Sequence, residues 1–250
     1  MKIVVIGGTG LVGAKLVEKL SEDGHDALAA APDTGVDTIT GDGLAEALEG
    51  AKVVVDVSNS SGSDEEVTKF FETSSRNLLA AESGAGVTHH IVLSIVGADR
   101  LQESGYLHAK VVQEETVKAG TVPYTILRAS QFFEFIRRIA DSSFDGESVH
   151  LPPVFVQPES ADDVATELAE IAESEPVNDI IELGGPEQFR LDELAERVLS
   201  AKNDPRRVTA DMHARYFGAA LDHYSLTPED NPRIASTRFE DWLSRSAAPE

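Results

Sequence analysis

The chain has no cysteine, and it has few basic side chains for its size. Without cysteine it can form neither disulfide bonds nor thiolate metal sites. Lysine and arginine number 21 against 44 aspartate and glutamate, which gives a formal net charge of −23 at pH 7. Because such a charge repels phosphates and anionic headgroups, we expect no nucleic-acid partner and no membrane partner. The acidic side chains are expected to form a solubilising surface, of a kind that also suits high salt.

Long apolar runs are missing as well, since no segment approaches the roughly 20 apolar residues of a membrane-spanning helix. The first residues lack the succession of basic region, apolar segment and cleavage site that marks a secretory leader. We therefore expect a cytoplasmic protein. With 250 residues, of which 41% are hydrophobic, the chain can bury the core of one sizeable α/β domain or of two small ones.

What the sequence does contain is an alternation of strand and helix patterns. "KIVVIGG" is a β-branched apolar run ended by glycines, and "LVGAKLVEKLSED" then takes up the apolar period of a helix. Further strands are expected at "HDALAAA", at a short "VDTIT" (residues 36–40), at "KVVVDVS", at "HHIVLSIVG" and at "YTILR". Short strands separated by helices predict a Rossmann-type α/β fold, a doubly wound parallel sheet with helices on both faces.

The pattern changes after Arg128, where "PVFVQPES" and "LGGPEQ" interrupt the alternation. We find no internal repeat and no low-complexity linker. The sequence therefore predicts a single domain over residues 1–250, with a nucleotide-binding core at 1–130. Residues 131–158 and 185–250 are predicted to be substrate-side elements, and the C-terminal part is expected to be small and mostly helical.

The strongest motif is "VVIGGTGLVG", which follows the first strand and opens the first helix. Gly7 permits the tight turn, Gly10 lets the backbone approach a pyrophosphate, and Gly13 lets the helix lie close to the sheet. The N–H groups at the start of the helix then face the phosphates. The motif predicts a dinucleotide site formed by Gly7, Gly8, Thr9, Gly10, Leu11, Val12 and Gly13.

The choice between NAD and NADP depends on the end of the second strand, which reads "AAAPDTG". Asp33 stands about where an acid would bind the ribose hydroxyls, although it is also a typical turn residue in this setting. No lysine or arginine lies between Lys19 and Lys52 to neutralise a 2′-phosphate. This segment favours NAD over NADP.

Several phrases occur in the order found in one known family: "GGTGLVG", "IVLSIVGAD", "SGYLHAK", "VPYTILRASQFFEF", "SADDVA" and "GPEQFRLDELAERV". Over about residues 1–245 the chain resembles NmrA-like proteins, which belong to the atypical branch of the short-chain dehydrogenase/reductase family. The resemblance implies a Rossmann-type fold with a small C-terminal substrate region. Many such proteins are NAD(P)H-dependent reductases of ketones, quinones or enone-like compounds, and a minority have lost catalysis and act as nucleotide-sensing regulators.

The resemblance gives "SGYLHAK" a catalytic role, with Tyr106 and Lys110 on one face of a helix. A free tyrosine, with a pKa of about 10, is a poor proton shuttle at neutral pH, and a nearby ammonium would lower that pKa. Tyr106 could then protonate a carbonyl oxygen, while Lys110 would also bind the nicotinamide ribose, as in the family. The alternative is a tyrosine packed at a helix start beside a solvated lysine.

The family's third catalytic residue corresponds to Ser94, twelve residues before Tyr106. Many relatives have two successive serines here, and this chain has Ile95 at the second position. Ser94 therefore either orients the substrate carbonyl or points towards the cofactor or into the sheet. Without its help the site would have a general acid but only partial oxyanion stabilisation.

By position in the resemblance, other residues are expected near the cofactor. Ser58 and Asn59 would lie on the adenosine side, and Asp42 would face the adenine. Gln131 and Phe132 would line the pocket, whereas Phe133 and Phe135 fit either the pocket or the core. No histidine spacing indicates a metal site.

The sequence thus predicts an NAD(P)H-dependent oxidoreductase that acts on a small carbonyl, quinone or enone-like substrate. The alternative is a non-catalytic NAD(P)-binding sensor or regulator. The expected partner is a small-molecule substrate, and a homodimer is possible.

Overall fold

The computed structural model describes residues 1–229 and 231–246. In chain order the strands are β1 (Lys2–Ile6), β2 (Asp26–Ala30), β3 (Ala51–Asp56), β4 (His89–Ile95), β5 (Tyr124–Ala129), β6 (Val149–Leu151), β7 (Phe155–Val156), β8 (Ile180–Gly184), β9 (Phe189–Arg190), β10 (Val208–Ala210) and β11 (Arg233–Ile234). The helices are α1 (Leu11–Glu22), α2 (Leu44–Leu48), α3 (Asp64–Ala85), α4 (Gly105–Lys118), α5 (Ile136–Ser142), α6 (Ala161–Ala172), α7 (Leu191–Ala201) and α8 (Phe239–Ser246).

Seven of the strands form one parallel sheet in the order β11-β8-β5-β4-β3-β1-β2. The chain runs from β1 to its neighbour β2 and then crosses to β3 on the other side of β1. A crevice opens at such a reversal, outside the carboxyl ends of the strands, and open α/β sheets bind their ligands there.

Helices cover both faces of the sheet. Strand β1 shows how its sequence provides an apolar surface for each face. Its side chains alternate between faces with a period of two. Ile3 and Val5 pack in a core cluster with residues of α1 and α6, whereas Val4 and Ile6 pack in a second cluster with residues of α2 and α3. Because both faces are buried, the strand is a continuous apolar run without polar alternation.

A third apolar cluster is formed mostly by residues that follow β5. It combines side chains from the start of α4 with those of α5, α7 and α8 and of the short strands between them. The C-terminal part thus contains two helices with short strands and irregular stretches. The division into a core of residues 1–130 and two substrate-side segments stays a prediction.

The Rossmann-type fold is confirmed, and so are the strands predicted at β1 to β5. The short strand predicted at residues 36–40 is wrong, because this segment forms turns. Gly35 and Gly41 flank it in the left-handed region, and the Asp37 carboxylate accepts hydrogen bonds from the N–H groups of Ile39 and Thr40. Backbone groups bound in this way cannot pair in a sheet.

Two strands of the main sheet, β8 and β11, lie in the part of the chain where the sequence pattern had changed. No helix within residues 1–229 and 231–246 has both the length and the apolar composition needed to cross a membrane.

Candidate functional site

A cavity of about 840 Å³ opens at the carboxyl ends of the parallel strands. Its lining includes the residues that end or follow five of them: Gly7 after β1, Ala31 after β2, Ser58 after β3, Ile95 in β4 and Gln131 after β5. This is the crevice at the reversal of strand order, so the fold itself places the cavity.

The glycine turn lines the cavity, and the physical reason for glycine differs from one position to the next. Gly7 has φ +76°, which favours glycine, and a Cβ on Gly13 would lie 2.2 Å from the Gly7 carbonyl oxygen. Gly10 has an ordinary φ of −79°, and a Cβ there would meet only the Gly7 oxygen, at 3.3 Å. The fold therefore needs Gly7 and Gly13, whereas Gly10 leaves backbone open towards the cavity.

Helix α1 begins at this open backbone. Gly10 is its N-cap residue and supplies no side-chain cap, and the first turn contains no acidic residue. The N–H groups of Leu11, Val12 and Gly13 are among those that an α-helix leaves without intrahelical partners. Together with the positive end of the helix dipole they suit a phosphate.

Two buried polar atoms of lining residues have no hydrogen-bond partner among the described residues, the Ser58 hydroxyl oxygen and the Gln131 Nε2 atom. Buried polar groups are usually satisfied, so such atoms at a cavity indicate bonds reserved for a ligand. Together with the open backbone at Gly10, they show that these residues fit a dinucleotide.

The two acids predicted to contact the adenosine do not line the cavity. Asp33 is exposed and accepts a hydrogen bond of 3.1 Å from the Thr9 hydroxyl, beside the glycine turn. Asp42 is also exposed, and its backbone carbonyl accepts from the N–H of Asp37. Asp37 is the acid that lines this end of the cavity, and no motif in the sequence had indicated it.

Tyr106 lies in the first turn of α4, where the Ser104 hydroxyl caps the helix by accepting from the Leu107 N–H. The phenol hydroxyl donates a hydrogen bond of 2.9 Å to Oδ1 of Asn59. Asn59, predicted on the adenosine side, thus stands beside the tyrosine, while the Ser58 backbone packs against Gly7. Both Asn59 and Tyr106 line the cavity.

Burial raises the pKa of Tyr106 to about 12, although the positive charge of Arg138 and the hydrogen bond with Asn59 oppose the rise. The prediction that Lys110 lowers this pKa is therefore wrong for this structure. The cation that acts on the phenol is Arg138, which lines the same cavity and which the sequence had not singled out.

Lys110 is not solvated, since only 4% of it is exposed. Its ammonium donates to the Leu93 carbonyl at 2.7 Å and to Oε1 of Gln113, and it lies 4.4 Å from the centre of the Phe71 ring. Burial lowers the pKa of Lys110 to about 8, against the charges of Asp56 and Glu114. The alternative of a solvated lysine is wrong, and Lys110 also lines the cavity.

A buried chain of polar groups holds Lys110 in place. Gln113 accepts from Lys110 and donates through Nε2 to Asp56 Oδ2 at 2.9 Å. Asp56 in turn accepts from the Ser58 N–H, also at 2.9 Å. Gln113 and Asp56 therefore connect helix α4 to the loop after β3, and the sequence had not indicated either.

Ser94 lines the cavity, but its hydroxyl proton is directed elsewhere. It donates a 2.5 Å hydrogen bond to Oε1 of Glu114, in α4. Glu114 also accepts two hydrogen bonds from Arg128, at 2.9 and 2.8 Å. The Ser94 proton is thus bound by a side chain of helix α4, an orientation that the sequence had not predicted. Ile95 packs against the third apolar cluster.

Several aromatic side chains line the cavity. Phe132 and Phe135 line it and stack with ring centres 5.4 Å apart, whereas Phe133 is buried in the core against Phe239. Tyr216 and Phe217 also line the cavity. They come from an irregular C-terminal stretch whose sequence carries no motif, so local patterns could not have found them.

Comparison with known proteins agrees with this geometry. Residues 7–175 match the family described as NAD(P)H-binding. The photosystem II assembly factor Ycf39 of Cyanophora paradoxa is 27% identical over 149 residues, which are 54% of this chain and 46% of that protein. Ycf39 of Synechocystis sp. is 25% identical over 165 residues, 60% of this chain and 51% of that protein. The chain thus spans about half the length of these curated relatives.

Solved structures share the fold over nearly the whole chain. MoeE5 in complex with UDP-glucose and NAD superposes with a TM-score of 0.75 at 17% identity, covering 99% of this chain and 97% of that one. A short-chain dehydrogenase/reductase superfamily protein from Agrobacterium tumefaciens with bound NAD has a TM-score of 0.70 at 19% identity, with 99% and 96% covered. The match over residues 7–175 shows that the chain belongs to the NAD(P)H-binding family.

Proposed function

We propose that this chain is an NAD(P)H-dependent oxidoreductase that reduces a small carbonyl, quinone or enone-like compound, with Tyr106 as the general acid. The observation that carries the proposal is that a single cavity extends from the glycine turn to the Tyr106 hydroxyl. A dinucleotide on the turn and a substrate beside the tyrosine would therefore share one cavity.

The residues that would hold the dinucleotide are those that face the cavity without internal partners. The N–H groups at the start of α1 suit its phosphates, with Gly10 giving access. The Ser58 hydroxyl and the Gln131 amide provide the unpaired polar atoms. When bound, the reduced dinucleotide supplies a hydride.

The chain's own contribution is to hold and release a proton. Because the pKa of Tyr106 is about 12, its hydroxyl carries the proton at neutral pH and can donate it to the oxygen of a substrate carbonyl. Asn59 fixes the position of the hydroxyl. The positive charge of Arg138 favours the phenolate that remains after transfer. Lys110, four residues after Tyr106 on the same helix, is held by hydrogen bonds from its ammonium to Leu93 and Gln113.

NAD is the expected cofactor in preference to NADP. The cations that line the cavity within the described residues are Lys110 and Arg138, and both lie near Tyr106. At the end formed by the turn after β2, the charged lining residue is Asp37, an acid that would repel a 2′-phosphate.

The experiment is to follow the oxidation of NADH and NADPH against a panel of aldehydes, ketones and quinones, with the wild type and Tyr106→Phe. The substitution removes one hydroxyl, so folding and nucleotide affinity should persist while turnover falls roughly 10²- to 10⁴-fold. Tyr124→Phe is the matched control. Tyr124 is the first residue of β5, so it lies at the amino ends of the strands, whereas the cavity is at their carboxyl ends. A Tyr106→Phe variant with more than about a tenth of the wild-type rate would remove the tyrosine from the chemistry.

One observation favours a second candidate, a non-catalytic NAD(P)-binding protein. The Ser94 proton is bound by Glu114, and Ile95 offers no hydroxyl, so oxyanion stabilisation beside Tyr106 is incomplete. The matched relatives are also described as assembly factors. Tight NADH binding by calorimetry, without turnover on any compound of the panel, would select this candidate over the reductase.

A further inference from the structure

Arg138 stands out among the charged groups of the cavity. It lies on α5, lines the cavity that contains the Tyr106 hydroxyl, and is close enough for its charge to act on that phenol. Among residues 1–229 and 231–246, no carboxylate forms an ion pair with it. Most arginines of this acidic chain do have such a partner, including its neighbour Arg137, which pairs with Asp204 at 3.7 Å.

Arg138 is exposed to solvent, so its place in the cavity lining, and not the missing ion pair, makes it a candidate for binding a ligand. Phe135, Ile139 and Phe217 line the same cavity. Asp64, an acid in the lining, lies against Gly105 at the start of α4 and is not paired with Arg138. A guanidinium that faces a largely apolar cavity is positioned for a ligand anion, which it can bind with two parallel hydrogen bonds.

The net charge of −23 does not prevent an anion from binding here. Charges more than about 10 Å away are largely screened at 0.1 M salt, so the local cation outweighs the distant carboxylates. The acidic surface does make an anion site stand out, because elsewhere on the molecule an anion would be repelled.

We propose that Arg138 binds an anionic group, carboxylate or phosphate, on the substrate and thereby presents the substrate's carbonyl to Tyr106. This inference rests on the proposed reductase function and specifies its substrate class: carbonyl compounds that carry a negative charge several bonds from the reacting carbon.

The test compares matched probes that differ in charge. For the carboxylate arm these are 4-carboxybenzaldehyde and its neutral amide, 4-formylbenzamide; for the phosphate arm they are 4-formylphenyl phosphate and 4-methoxybenzaldehyde. The wild type should show a higher kcat/KM for the charged member of at least one pair, and the larger ratio identifies the anion. Arg138→Gln should lower that ratio tenfold or more, and Arg138→Lys should keep most of it. Arg137→Gln, which changes the adjacent arginine outside the cavity lining, should leave the ratio as it is.

Two readouts do not depend on turnover. Calorimetry should show that 4-carboxybenzaldehyde binds more weakly to Arg138→Gln than to the wild type in the presence of NAD⁺. Ultraviolet titration should show a higher pKa for the Tyr106 phenol in the variant, because a positive charge that lowers it has been removed. The phenol is identified by comparison with Tyr106→Phe.

The outcomes separate the two proposals. If no probe is reduced by any protein, the reductase proposal fails, and the calorimetric comparison still decides whether Arg138 is an anion site. If the variant keeps the wild-type charge ratio and binding, Arg138 does not select the substrate. If NADH affinity falls as much as probe affinity, Arg138 binds a cofactor phosphate and the inference is overturned.

Discussion

At the scale of single residues, the glycine turn shows how one residue type can serve folding at some positions and binding at another. A side chain on Gly8 would press on Ala29 and Val5 backbone atoms at 2.6 and 2.7 Å, and one on Gly13 would press on Gly7. Substitution there breaks the packing of α1 on the sheet. Gly10 also lines the cavity, but a side chain there would meet only the Gly7 carbonyl oxygen, at 3.3 Å.

We therefore predict that Gly10→Leu folds but binds NAD(H) at least tenfold more weakly, about 1.4 kcal/mol, because the leucine side chain occupies the approach to the start of α1. Calorimetry measures the affinity, and thermal unfolding checks the fold. Gly84→Leu is the control, since Gly84 lies on the exposed side of α3 with nothing near its Cβ position. Equal affinity of a folded Gly10→Leu variant would contradict the assignment of the turn.

At the scale of elements, the segment that leads into α6 supports the loop after β5. The Glu159 N–H donates to the Gln131 carbonyl, and the Glu159 carbonyl accepts from the Phe133 N–H. Its side chain is fully buried, with Oε1 accepting from the Ser130 N–H at 2.8 Å and Oε2 without a partner among the described residues. Burial raises the pKa of Glu159 well above its ordinary value, against the hydrogen bond from Ser130, and the charge of Asp163 raises it further.

The sign of the resulting pH dependence follows from proton binding. Because its pKa is higher in the folded chain, Glu159 holds a proton there at pH values where the unfolded chain has lost it. The free energy of unfolding therefore falls as pH rises above the ordinary carboxyl value of 4.5 towards the raised one. Each unit by which the pKa is raised corresponds to about 1.4 kcal/mol.

We predict that Glu159→Gln, which keeps the acceptor for Ser130, raises the free energy of unfolding at pH 8, by on the order of 1 kcal/mol or more. The gain should shrink as the pH falls below 4.5, because the wild-type carboxyl is then protonated in both states. Denaturant unfolding at the two pH values measures it. Glu170→Gln, an exposed change on α6, should have little effect at either pH. A loss of stability at pH 8 would show that the Glu159 charge is favourable.

At the scale of the whole molecule, the excess of acidic groups opposes the folded state. A formal charge of −23 on one folded chain produces repulsion that unfolding relieves by separating the charges. Salt weakens this repulsion, since the screening length falls from about 10 Å at 0.1 M to about 3 Å at 1 M. Exposed ion pairs, such as Arg215 with Glu103, are weakened as well but contribute little.

The melting temperature at pH 7.5 should consequently rise by several degrees between 0.05 and 1 M sodium chloride, since about 1 kcal/mol shifts the midpoint of a chain of this size by roughly 2–4 °C. Differential scanning calorimetry measures the shift. Potassium chloride should act equally, because screening depends on ionic strength. A constant or falling midpoint, or an effect of one cation alone, would contradict repulsion as the cause.

Features that depend on neighbouring residues could be predicted from the sequence, whereas features that depend on distant segments could not. Strands β1 to β5 follow from apolar runs, and the glycine turn follows from three residues at fixed spacing, because these signals are local. The strand expected at residues 36–40 failed because Asp37 and two left-handed glycines bind the backbone into turns. Strands β8 and β11 were missed because their partners lie far away in sequence.

The sequence by itself determined the nucleotide half of the protein: the fold, the turn at Gly7 to Gly13, and the placing of Tyr106 and Lys110 on one helix face. Only the tertiary structure decided what surrounds them. It placed Asn59 and Arg138 at the tyrosine, buried Lys110, and directed Ser94 to Glu114. The reason is physical: a local motif needs only neighbouring residues, whereas a pKa and a cavity wall depend on burial by segments that meet only when the chain has folded.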